Sequence, residues 1–314
     1  MSHHVVVLAG GLSHEREVSL RSGRRVAIAL REAGHQVTEA DLNAEVVGLL
    51  TGLEHAVVFP LLHGGVGEDG ALREVLALLG VPFVGSTAEA SRLTFDKPVA
   101  TTTVSRAGVR VPRQVALPHD VFRELGARAL VDALVARIGF PMMVKPARSG
   151  SALGATKVTE VAALPTAMVN AYAYGSVAVV EEFIEGTEVA VTLVDLGEGL
   201  VALPAVEIRP TSGVYDYASR YTAGEVRFVT PADLDADVAT ACADLSLKAA
   251  DVLGLRDLCR IDIIIDAEGD PVFLEANVAP GMTETSLVPL AMEAADLQVG
   301  AVCSLLVEAA AARA

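Results

Sequence analysis

Cysteine, positive charge and long apolar runs are all scarce in this chain of 314 residues. Its three cysteines, Cys242, Cys259 and Cys303, are widely spaced. This pattern fits neither a disulfide framework nor a zinc site, so we expect a reducing, cytoplasmic setting. No apolar run reaches about 18 residues, the length of a membrane span. The opening "MSHHVVVLAGG" also lacks the regions of a secretory signal, so we expect no membrane association.

The shortage of positive charge limits the partners of the protein. Its 24 Lys and Arg residues stand against 40 Asp and Glu residues, for a formal net charge of -16. Phosphate backbones and anionic lipids bind basic surfaces, so we expect no nucleic-acid partner. An anionic small molecule would need a local cationic pocket or a metal ion. Hydrophobic residues make up 52% of the chain, which is enough for a substantial core and two or three domains.

Short apolar segments alternate with helical patterns over residues 4 to 95. This alternation is typical of a parallel, doubly wound α/β layer, so we predict a Rossmann-like first domain. The predicted strands are "VVVLAG", "HQVTEAD", "HAVVFPLL" and "VPFVGS". One helix is predicted from Glu15 to Gly34 and another after Asp69.

The alternation ends at "FDKPVATTTVSRAGVRVP", where we predict the first domain boundary. A helix at 120–138 and the strands "FPMMVKPA" and "SVAVVEEFI" follow, then the strands "EVAVTLVDL" and "LVALPAVEI". A polar segment, a helix at 234–254, a hairpin and closing helices complete the chain. We predict domains at 1–95, 96–184 and 185–314, with α/β architecture first and α+β architecture in the later parts.

The segment "CRIDIIIDAEGDPVFLEANV" predicts a hairpin with "EGD" as its turn. If residues 268–269 form the tip, Asp262 faces Glu275 and Arg260 faces Asn277. Side chains alternate with a period of two, so these four share one face of the hairpin. Two opposed carboxylates repel each other unless something neutralises them.

A divalent cation is one way to neutralise the opposed carboxylates. Carboxylate and carboxamide oxygens suit magnesium, which keeps other positions for water and phosphate. The alternative is a solvated sheet edge where the arginine pairs with either acid. The same register pairs Ile261 with Ala276 and Ile263 with Leu274 on the apolar face. A slip of one residue would scatter the polar cluster.

A lysine followed by a glycine- and serine-rich loop suggests phosphate binding. Lys145 ends the run "FPMMVK" and precedes "PARSGSALG", which could offer a charge and backbone amides to a polyphosphate. Gly150 and Gly154 do not have the spacing of a P-loop, and "LAGGLSHE" does not match the dinucleotide fingerprint. A plain flexible turn explains the loop equally well.

Two further stretches place polar residues beside glycines or a helix start. "HGGVGEDG" puts His63 and Glu68 where the backbone can approach a ligand, with Asp69 as a helix cap. An ordinary loop or core histidine is the alternative for His63. Glu15 and Glu17 begin a predicted helix, where acidic residues also stabilise the helix without any further role.

These stretches together resemble the D-alanine--D-alanine ligase family of the ATP-grasp superfamily. The resemblance covers nearly the whole chain and is carried by the following segments: "AGGLSHEREVSLRSG", "LLHGGVGEDGALREVLALLGVPFVGS", "VKPARSGSALGA", "VYDYASRYTAG", "CRIDIII" and "EANVAPGMTETSLVP". It implies an ATP-grasp fold with a glycine-rich phosphate loop in the central subdomain. It also implies a cytoplasmic homodimer that supplies peptidoglycan synthesis.

The resemblance implies that ATP phosphorylates the carboxylate of one D-alanine and that the amine of a second attacks the acyl phosphate. The implied amino-acid site holds the first ammonium at Glu15, with His63 near its carboxylate. Ser286 and the amide of Leu287 take the second carboxylate. The implied oxyanion donors are Arg260 and the amide of Gly281, and the implied ligands of two magnesium ions, which manganese could replace, are Asp262, Glu275 and Asn277.

The resemblance also implies a nucleotide site. Its residues are the phosphate-binding Lys97, Lys145 and Arg220, the adenine segment Glu181, Glu182, Phe183 and Ile184, and the ribose acid Glu188. Ser151 and Tyr221 match a pair that closes onto Glu15 and excludes water from the acyl phosphate. Arg220 and Glu182 stand where lysine is frequent in the family, which puts the phosphate and adenine contacts in doubt.

Two other functions stay open on the sequence alone. The acceptor could be D-lactate or D-serine, although Tyr221 favours D-alanine by analogy with the family. The chain could also be a catalytically silent ATP-binding module, which would predict loss of Arg260, Asn277 or Ser286. All three residues are present. A purely structural α/β protein leaves the opposed carboxylates unexplained.

Overall fold

The computed structural model describes residues 2–211 and 224–313 of the chain. The helices and strands, in chain order, are β1 (His4–Ala9), α1 (Arg16–Glu32), β2 (Gln36–Asp41), α2 (Val46–Thr51), β3 (Ala56–Pro60), α3 (Ala71–Leu78), α4 (Ala88–Phe95), α5 (Lys97–Arg106), β4 (Gln114–Pro118), α6 (His119–Leu125), α7 (Ala127–Ile138), β5 (Met142–Pro146), β6 (Thr156–Val158), α8 (Leu164–Tyr172), β7 (Val177–Glu182), β8 (Thr187–Asp195), β9 (Leu200–Ala202), β10 (Val206–Pro210), β11 (Val226–Val229), α9 (Ala236–Leu253), β12 (Leu258–Ile265), β13 (Pro271–Asn277), α10 (Leu287–Ala294) and α11 (Val299–Ala311). They form three sheets, so the predicted mixture of α/β and α+β architecture is confirmed.

The N-terminal sheet has the order β2-β1-β3, and both of its pairings are parallel, as the alternation of strands and helices predicts. Val5 to Leu8 are buried, which is typical of a strand covered on both faces. The predicted strand "VPFVGS" is wrong, because Phe83 makes only an isolated bridge to Val58. Pro82 lacks an N–H group and Gly85 has a φ of 107°, so the pairing cannot extend in either direction.

The central sheet has the order β4-β7-β5-β6 and is antiparallel throughout. The predicted helix at 120–138 is instead two helices, α6 and α7, which meet at Gly126. This glycine has a φ of 85°, a conformation that L side chains rarely adopt, so the helix cannot continue through it. Strands β4 and β6 were not predicted from the sequence.

The largest sheet has the order β11-β10-β8-β12-β13, with β9 also paired to β8. The predicted hairpin is β12 and β13. Asp262 pairs with Glu275 and Arg260 pairs with Asn277, so the predicted polar face is confirmed. The predicted single strand "LVALPAVEI" is divided into β9 and β10, and β11 lies in the polar segment, where no strand was predicted.

The predicted pairing of Ile263 with Leu274 is wrong, because Ile263 pairs with Phe273. The turn spans residues 266–270 and is centred on Glu268, rather than between residues 268 and 269. A bulge at Leu274 adds one residue to β13 and restores the expected register for the polar pairs.

The C-terminal helices return to the N-terminal part of the chain. Their buried residues, including Val288 and Leu306, share one core with Val5 of β1 and Leu30 of α1. No single helix within residues 2–211 and 224–313 is long and apolar enough to cross a membrane; α10 and α11 pass that test only as a pair bent by 105°.

Asp257 forms hydrogen bonds that connect three distant segments of the chain. Its side chain is 1% exposed and accepts hydrogen bonds from the amide of Gly85 at 2.7 Å and from both terminal nitrogens of Arg313 at 3.0 and 2.6 Å. Its carbonyl accepts from the amide of Asp195 at 2.8 Å. A buried carboxylate with these donors ties the first sheet, the start of β12 and the C-terminus together.

We expect Asp257→Asn to lower the free energy of unfolding by about 1–3 kcal/mol, because the part-buried guanidinium contact of Arg313 loses its anionic partner. Asparagine tolerates the positive φ of 64° at this position, so the backbone is not strained. Denaturant unfolding measures the change. Asp270→Asn, at an exposed ion pair with Arg110, is the control and should change stability by less than about 0.5 kcal/mol. An equal change in the free energy of unfolding in the two variants would contradict the role of Asp257 in connecting these segments.

Candidate active site

Two cavities meet near the middle of the molecule. The inter-sheet cavity, of about 770 Å³, lies between the central sheet and the largest sheet. The N-terminal cavity, of about 780 Å³, lies between the start of α1, the loop after β3 and the loop after β13. Lys97, Ser149 and Glu275 line both cavities. A ligand in one cavity can therefore approach a ligand in the other.

The inter-sheet cavity contains a buried ion pair. Lys145 on β5 contacts Glu181 on β7 at 2.5 Å, across neighbouring strands. Burial lowers the pKa of Lys145, but Glu181 and Glu275 outweigh burial, so the pKa is raised overall. Glu188 on β8 lines the same cavity. The lysine therefore stays charged where a polyanion would enter.

The predicted adenine segment also lines the inter-sheet cavity. Lys157 lies 3.8 Å from the centre of the Phe183 ring, and Ile184 follows along the wall. Glu182 contacts Arg113 at 2.6 Å, and its second oxygen accepts from the Arg113 amide at 2.9 Å. Glu182, which stands where lysine is frequent in the family, is thus neutralised by Arg113.

The polar face of the hairpin lies at the junction of the two cavities. Arg260 donates to both oxygens of Asp262, at 2.7 and 2.8 Å, and both side chains are buried. Glu275 contacts Lys97 at 3.2 Å. The carboxamide oxygen of Asn277 accepts from the Ala279 amide at 2.8 Å. The alternative interpretation of the sequence is therefore confirmed in one part, since Arg260 pairs with an acid, and wrong in the other, since both side chains of this pair are buried on β12, between β8 and β13.

The oxygen donors of the hairpin suit a hard divalent cation. Asp262, Glu275 and Asn277 offer two carboxylates and a carboxamide from adjacent strands. In the described ranges, no group of three or more His, Cys, Asp or Glu side chains is placed to hold a metal ion. An ion at this hairpin would need further ligands from outside the protein.

Lys97 joins the hairpin to the glycine-rich loop. Its ammonium donates to the Ser149 carbonyl at 2.6 Å while it contacts Glu275, and its amide donates to the Ala147 carbonyl at 3.0 Å. Lys97 begins α5, where Asp96 caps the helix and accepts from the Val99 amide. The cap fixes the start of the helix and therefore the origin of the lysine side chain.

Glu15 and Ser151 come together, although they are 136 residues apart in the sequence. Ser151 in the glycine-rich loop donates a short hydrogen bond to Glu15, which precedes α1 and is buried. A Cβ atom at Gly64 or at Gly150 would lie only 2.6 Å from a carboxylate oxygen of Glu15. Both glycines are needed for this close approach. Arg220 and Tyr221, the other predicted residues of this region, lie outside the described residues.

The loop after β13 supplies the remaining predicted residues. Ser286 precedes α10, Leu287 is its first residue, and both line the N-terminal cavity with Gly281. The hydroxyl of Ser286 accepts from the Thr283 amide at 3.0 Å. A Cβ atom at Gly281 would lie 2.7 Å from the Ser286 hydroxyl, so a side chain here would have to displace that hydroxyl.

His63 uses both of its ring nitrogens within the protein. Nδ1 lies 2.8 Å from the Ala279 carbonyl, and Nε2 lies 3.1 Å from the hydroxyl of Ser22. A carbonyl only accepts, so Nδ1 carries the proton. Burial lowers the pKa of His63, which favours the neutral ring and leaves Nε2 as an acceptor for Ser22. His63 lines the N-terminal cavity, and both of its ring nitrogens contact groups of the protein.

Glu68 belongs to the N-terminal cavity and received no role from the sequence. It is buried, and burial followed by the nearby carboxylate of Glu15 raises its pKa to about 7. Lys97 acts in the opposite direction, and Glu275 raises the pKa further. The only signal in the sequence was a carboxylate within "HGGVGEDG"; its neighbours in space come from distant parts of the chain.

We expect Glu68→Gln to flatten the pH dependence of stability between about pH 4.5 and 7. The native state keeps a proton that the unfolded chain releases, so stability falls as the pH rises through this range. The full shift corresponds to roughly 3 kcal/mol. Denaturant unfolding at several pH values measures the difference between variant and wild type. The exposed Glu74→Gln serves as the control; the same slope in all three proteins would contradict the prediction.

Comparison with known proteins gives a consistent result for this chain. A family model described as "D-ala D-ala ligase C-terminus" matches residues 104–308, and one described as "D-ala D-ala ligase N-terminus" matches residues 36–86. A D-alanine--D-alanine ligase of Anaeromyxobacter is 39% identical, with 99% of this chain and 97% of the relative covered. The enzyme of Bordetella petrii is 37% identical, with 98% and 92% covered.

Solved structures agree with the sequence relatives. The VanG D-Ala:D-Ser ligase from Enterococcus faecalis has a TM-score of 0.85 and 27% identity, over 99% of this chain and 100% of that one. A D-alanine--D-alanine ligase from Bacillus anthracis complexed with ATP has a TM-score of 0.81 and 25% identity, over 98% and 97%. The family models and the full-length relatives together place this chain in the D-alanine--D-alanine ligase family.

Proposed function

We propose that this chain is an ATP-dependent ligase that joins two D-alanines to D-alanyl-D-alanine. The observation that carries the proposal is the junction of two cavities at Lys97 and Glu275. A nucleotide in one cavity can pass a phosphoryl group to a carboxylate in the other without crossing bulk water. The product would supply peptidoglycan precursor synthesis. A cytoplasmic homodimer with domains at 1–95, 96–184 and 185–314, as the family resemblance implies, is part of this proposal.

The inter-sheet cavity is the proposed ATP site. The adenine would contact the backbone of residues 181–184, and Glu188 would bind the ribose. Lys97 and Lys145 would bind the phosphates together with the amides of the glycine-rich loop. Three features support this arrangement: the volume of about 770 Å³, the two lysines in the lining and the apolar Phe183 in the same lining.

Asp262, Glu275 and Asn277 are the proposed ligands of two magnesium ions, which manganese could replace. Magnesium bound there would draw charge from the ATP phosphates and help to orient them. Each acid already contacts a cationic side chain, so the protein neutralises the pair by itself before any ion arrives. The phosphates would complete the incomplete ligand set of the hairpin.

The N-terminal cavity is the proposed amino-acid site. Glu15 would bind the ammonium of the first D-alanine, whose carboxylate oxygen attacks the γ-phosphorus of ATP as ADP leaves. Ser286 and the Leu287 amide would bind the carboxylate of the second D-alanine. Ser151, through its hydrogen bond to Glu15, would close the glycine-rich loop over the acyl phosphate and exclude water.

The second step would build charge on the acyl oxygen. The amine of the second D-alanine, after losing a proton, attacks the acyl carbon, and the tetrahedral intermediate then expels inorganic phosphate. Arg260 and the amide of Gly281 would stabilise the oxyanion, at about 3 kcal/mol for each well-placed donor. Arg260 is held rigid by Asp262, which favours this role because a preorganised donor needs no rearrangement.

D-serine or D-lactate as the acceptor is the second candidate. The structural similarity to a D-Ala:D-Ser ligase, at a TM-score of 0.85, keeps D-serine in consideration. The sequence relatives quoted above are D-alanine--D-alanine ligases at 37% and 39% identity, which favours D-alanine.

The first test supplies the protein with ATP, magnesium and D-alanine, and measures phosphate release and dipeptide by mass spectrometry. Parallel reactions contain L-alanine alone, or D-alanine with D-lactate or D-serine. We expect dipeptide from D-alanine alone and none from L-alanine. Preferred mixed products would favour the second candidate. Nucleotide binding without product in every reaction would leave only a catalytically silent module.

We expect Glu275→Gln to lower kcat by about 100-fold or more, because it removes a charge at the junction of the cavities. The same assay at several magnesium concentrations measures kcat and the magnesium requirement. Glu74→Gln, at an exposed ion pair with Arg92, is the control and should retain full activity. Unchanged activity and magnesium dependence in Glu275→Gln would refute the proposed metal role.

We expect Gly150→Ala to lower kcat/KM for D-alanine by about 100-fold, because the new methyl group would displace Glu15 from the first ammonium. Gly175→Ala is the matched control, since a Cβ atom there meets nothing within 4 Å. Steady-state kinetics of both variants measure the effect. Equal kcat/KM values for D-alanine in the two variants would show that the close approach of Gly150 to Glu15 does not matter for the reaction of D-alanine.

A further inference from the structure

The loop that carries Gly281 is held by side chains from the N-terminal part of the chain. Arg73 donates to the Val278 carbonyl at 3.2 Å, and Arg25 donates to the Met282 carbonyl at 3.4 Å. The two ends of the segment 279–282 have further contacts: His63 donates to the Ala279 carbonyl, and the Met282 amide donates to Ser22. Its position therefore depends on α1, on the loop after β3 and on α3, in addition to the contact of the Ala279 amide with Asn277 on β13.

Ser22 is the point where these contacts meet. It lies on α1, is fully buried, and accepts from the Met282 amide at 3.1 Å. Its hydroxyl proton is directed to Nε2 of His63, also at 3.1 Å, because the proton of that ring is already on Nδ1. One hydroxyl thus connects both ends of the four-residue segment: directly at Met282, and through His63 at Ala279.

We infer that Ser22 is a positioning residue for the reaction, and that it fixes the backbone amide of Gly281 for the oxyanion. The inference rests on the proposed function of this chain. An amide stabilises an oxyanion only when it is held at about 2.7–3.1 Å from the position of the charge. Because hydrogen bonds hold both Ala279 and Met282, the backbone of Gly281 between them has little freedom to move.

The helix that carries Ser22 also begins next to Glu15. The two residues are seven positions apart, or about two turns, so they lie on the same face of the helix. Glu15 is the proposed site of the first ammonium, and Ser22 controls the proposed oxyanion donor. One rigid helix would therefore set the distance between the bound amino acid and the group that stabilises its reacting carbonyl.

Ser22→Ala tests this role in the full chain. We expect kcat for dipeptide formation to fall by about 10- to 100-fold, while the KM for ATP changes less than about twofold, because no nucleotide contact is altered. Ser22→Cys has nearly the same shape and a weaker donor, so its kcat should lie between those of wild type and Ser22→Ala. Ser246→Ala is the matched control: Ser246 is equally buried on a helix, but its hydroxyl donates only to the Cys242 carbonyl.

A partial reaction separates positioning from a general loss of structure. Oxygen-18 in the bridge between the β- and γ-phosphates of ATP scrambles when the acyl phosphate forms and reverts. Ser22→Ala should slow the amine attack and not the phosphoryl transfer, so the ratio of scrambling to dipeptide should rise by about the same 10- to 100-fold. A merely structural defect would lower both rates together and leave the ratio unchanged.

The outcomes distinguish this inference from the proposed function. If wild type forms dipeptide and Ser22→Ala shows an unchanged kcat or an unchanged ratio, the positioning role is overturned and the ligase function stands. If wild type forms no dipeptide from D-alanine, the proposed function itself is wrong. If Ser22→Ala does not fold, Ser22→Cys is judged by the same ratio, and an unchanged value there overturns the role.

Discussion

The contact of Lys97 with Glu275 and with the Ser149 carbonyl is the interaction on which the site depends. It joins the hairpin of the largest sheet, the glycine-rich loop of the central sheet and the start of α5 at one ammonium group. Both cavities open onto this point. The loop is held further by the ion pair of Arg148 with Asp96 and by the hydrogen bond from Ser151 to Glu15.

Charge balance in the site differs from that of the whole chain. The formal net charge is -16, yet two acids that line the inter-sheet cavity each contact a lysine: Glu181 contacts Lys145, and Glu275 contacts Lys97. Glu68 in the N-terminal cavity differs from these acids, because its pKa is raised to about 7 and the carboxyl group can keep its proton. Both solutions avoid an unpaired charge in a buried place, which would be costly.

Much of the fold followed from local patterns, and the errors have local causes. The parallel N-terminal sheet and the hairpin carry strong periodicity over many residues, so they were predicted. The helix division at Gly126 depends on one backbone angle, and β6 is only three residues long, so neither gave a clear pattern. The turn of the hairpin is centred half a residue earlier than expected, and the bulge at Leu274 restores the expected pairing of the polar residues. The alternation of apolar and polar residues in the sequence reveals neither of these two shifts.

The sequence by itself determined which residue types stand at the site, the shared face of Arg260 and Asp262 on one strand and of Glu275 and Asn277 on the next, and the family resemblance. Spacing along a strand fixes a face, and short-range geometry does not change with the rest of the fold. Only the tertiary structure decided that Ser22 and His63 hold the loop around Gly281, and that Glu68 is buried beside Glu15. These contacts join residues that are far apart in the chain, and only the packing of the folded protein brings such residues together.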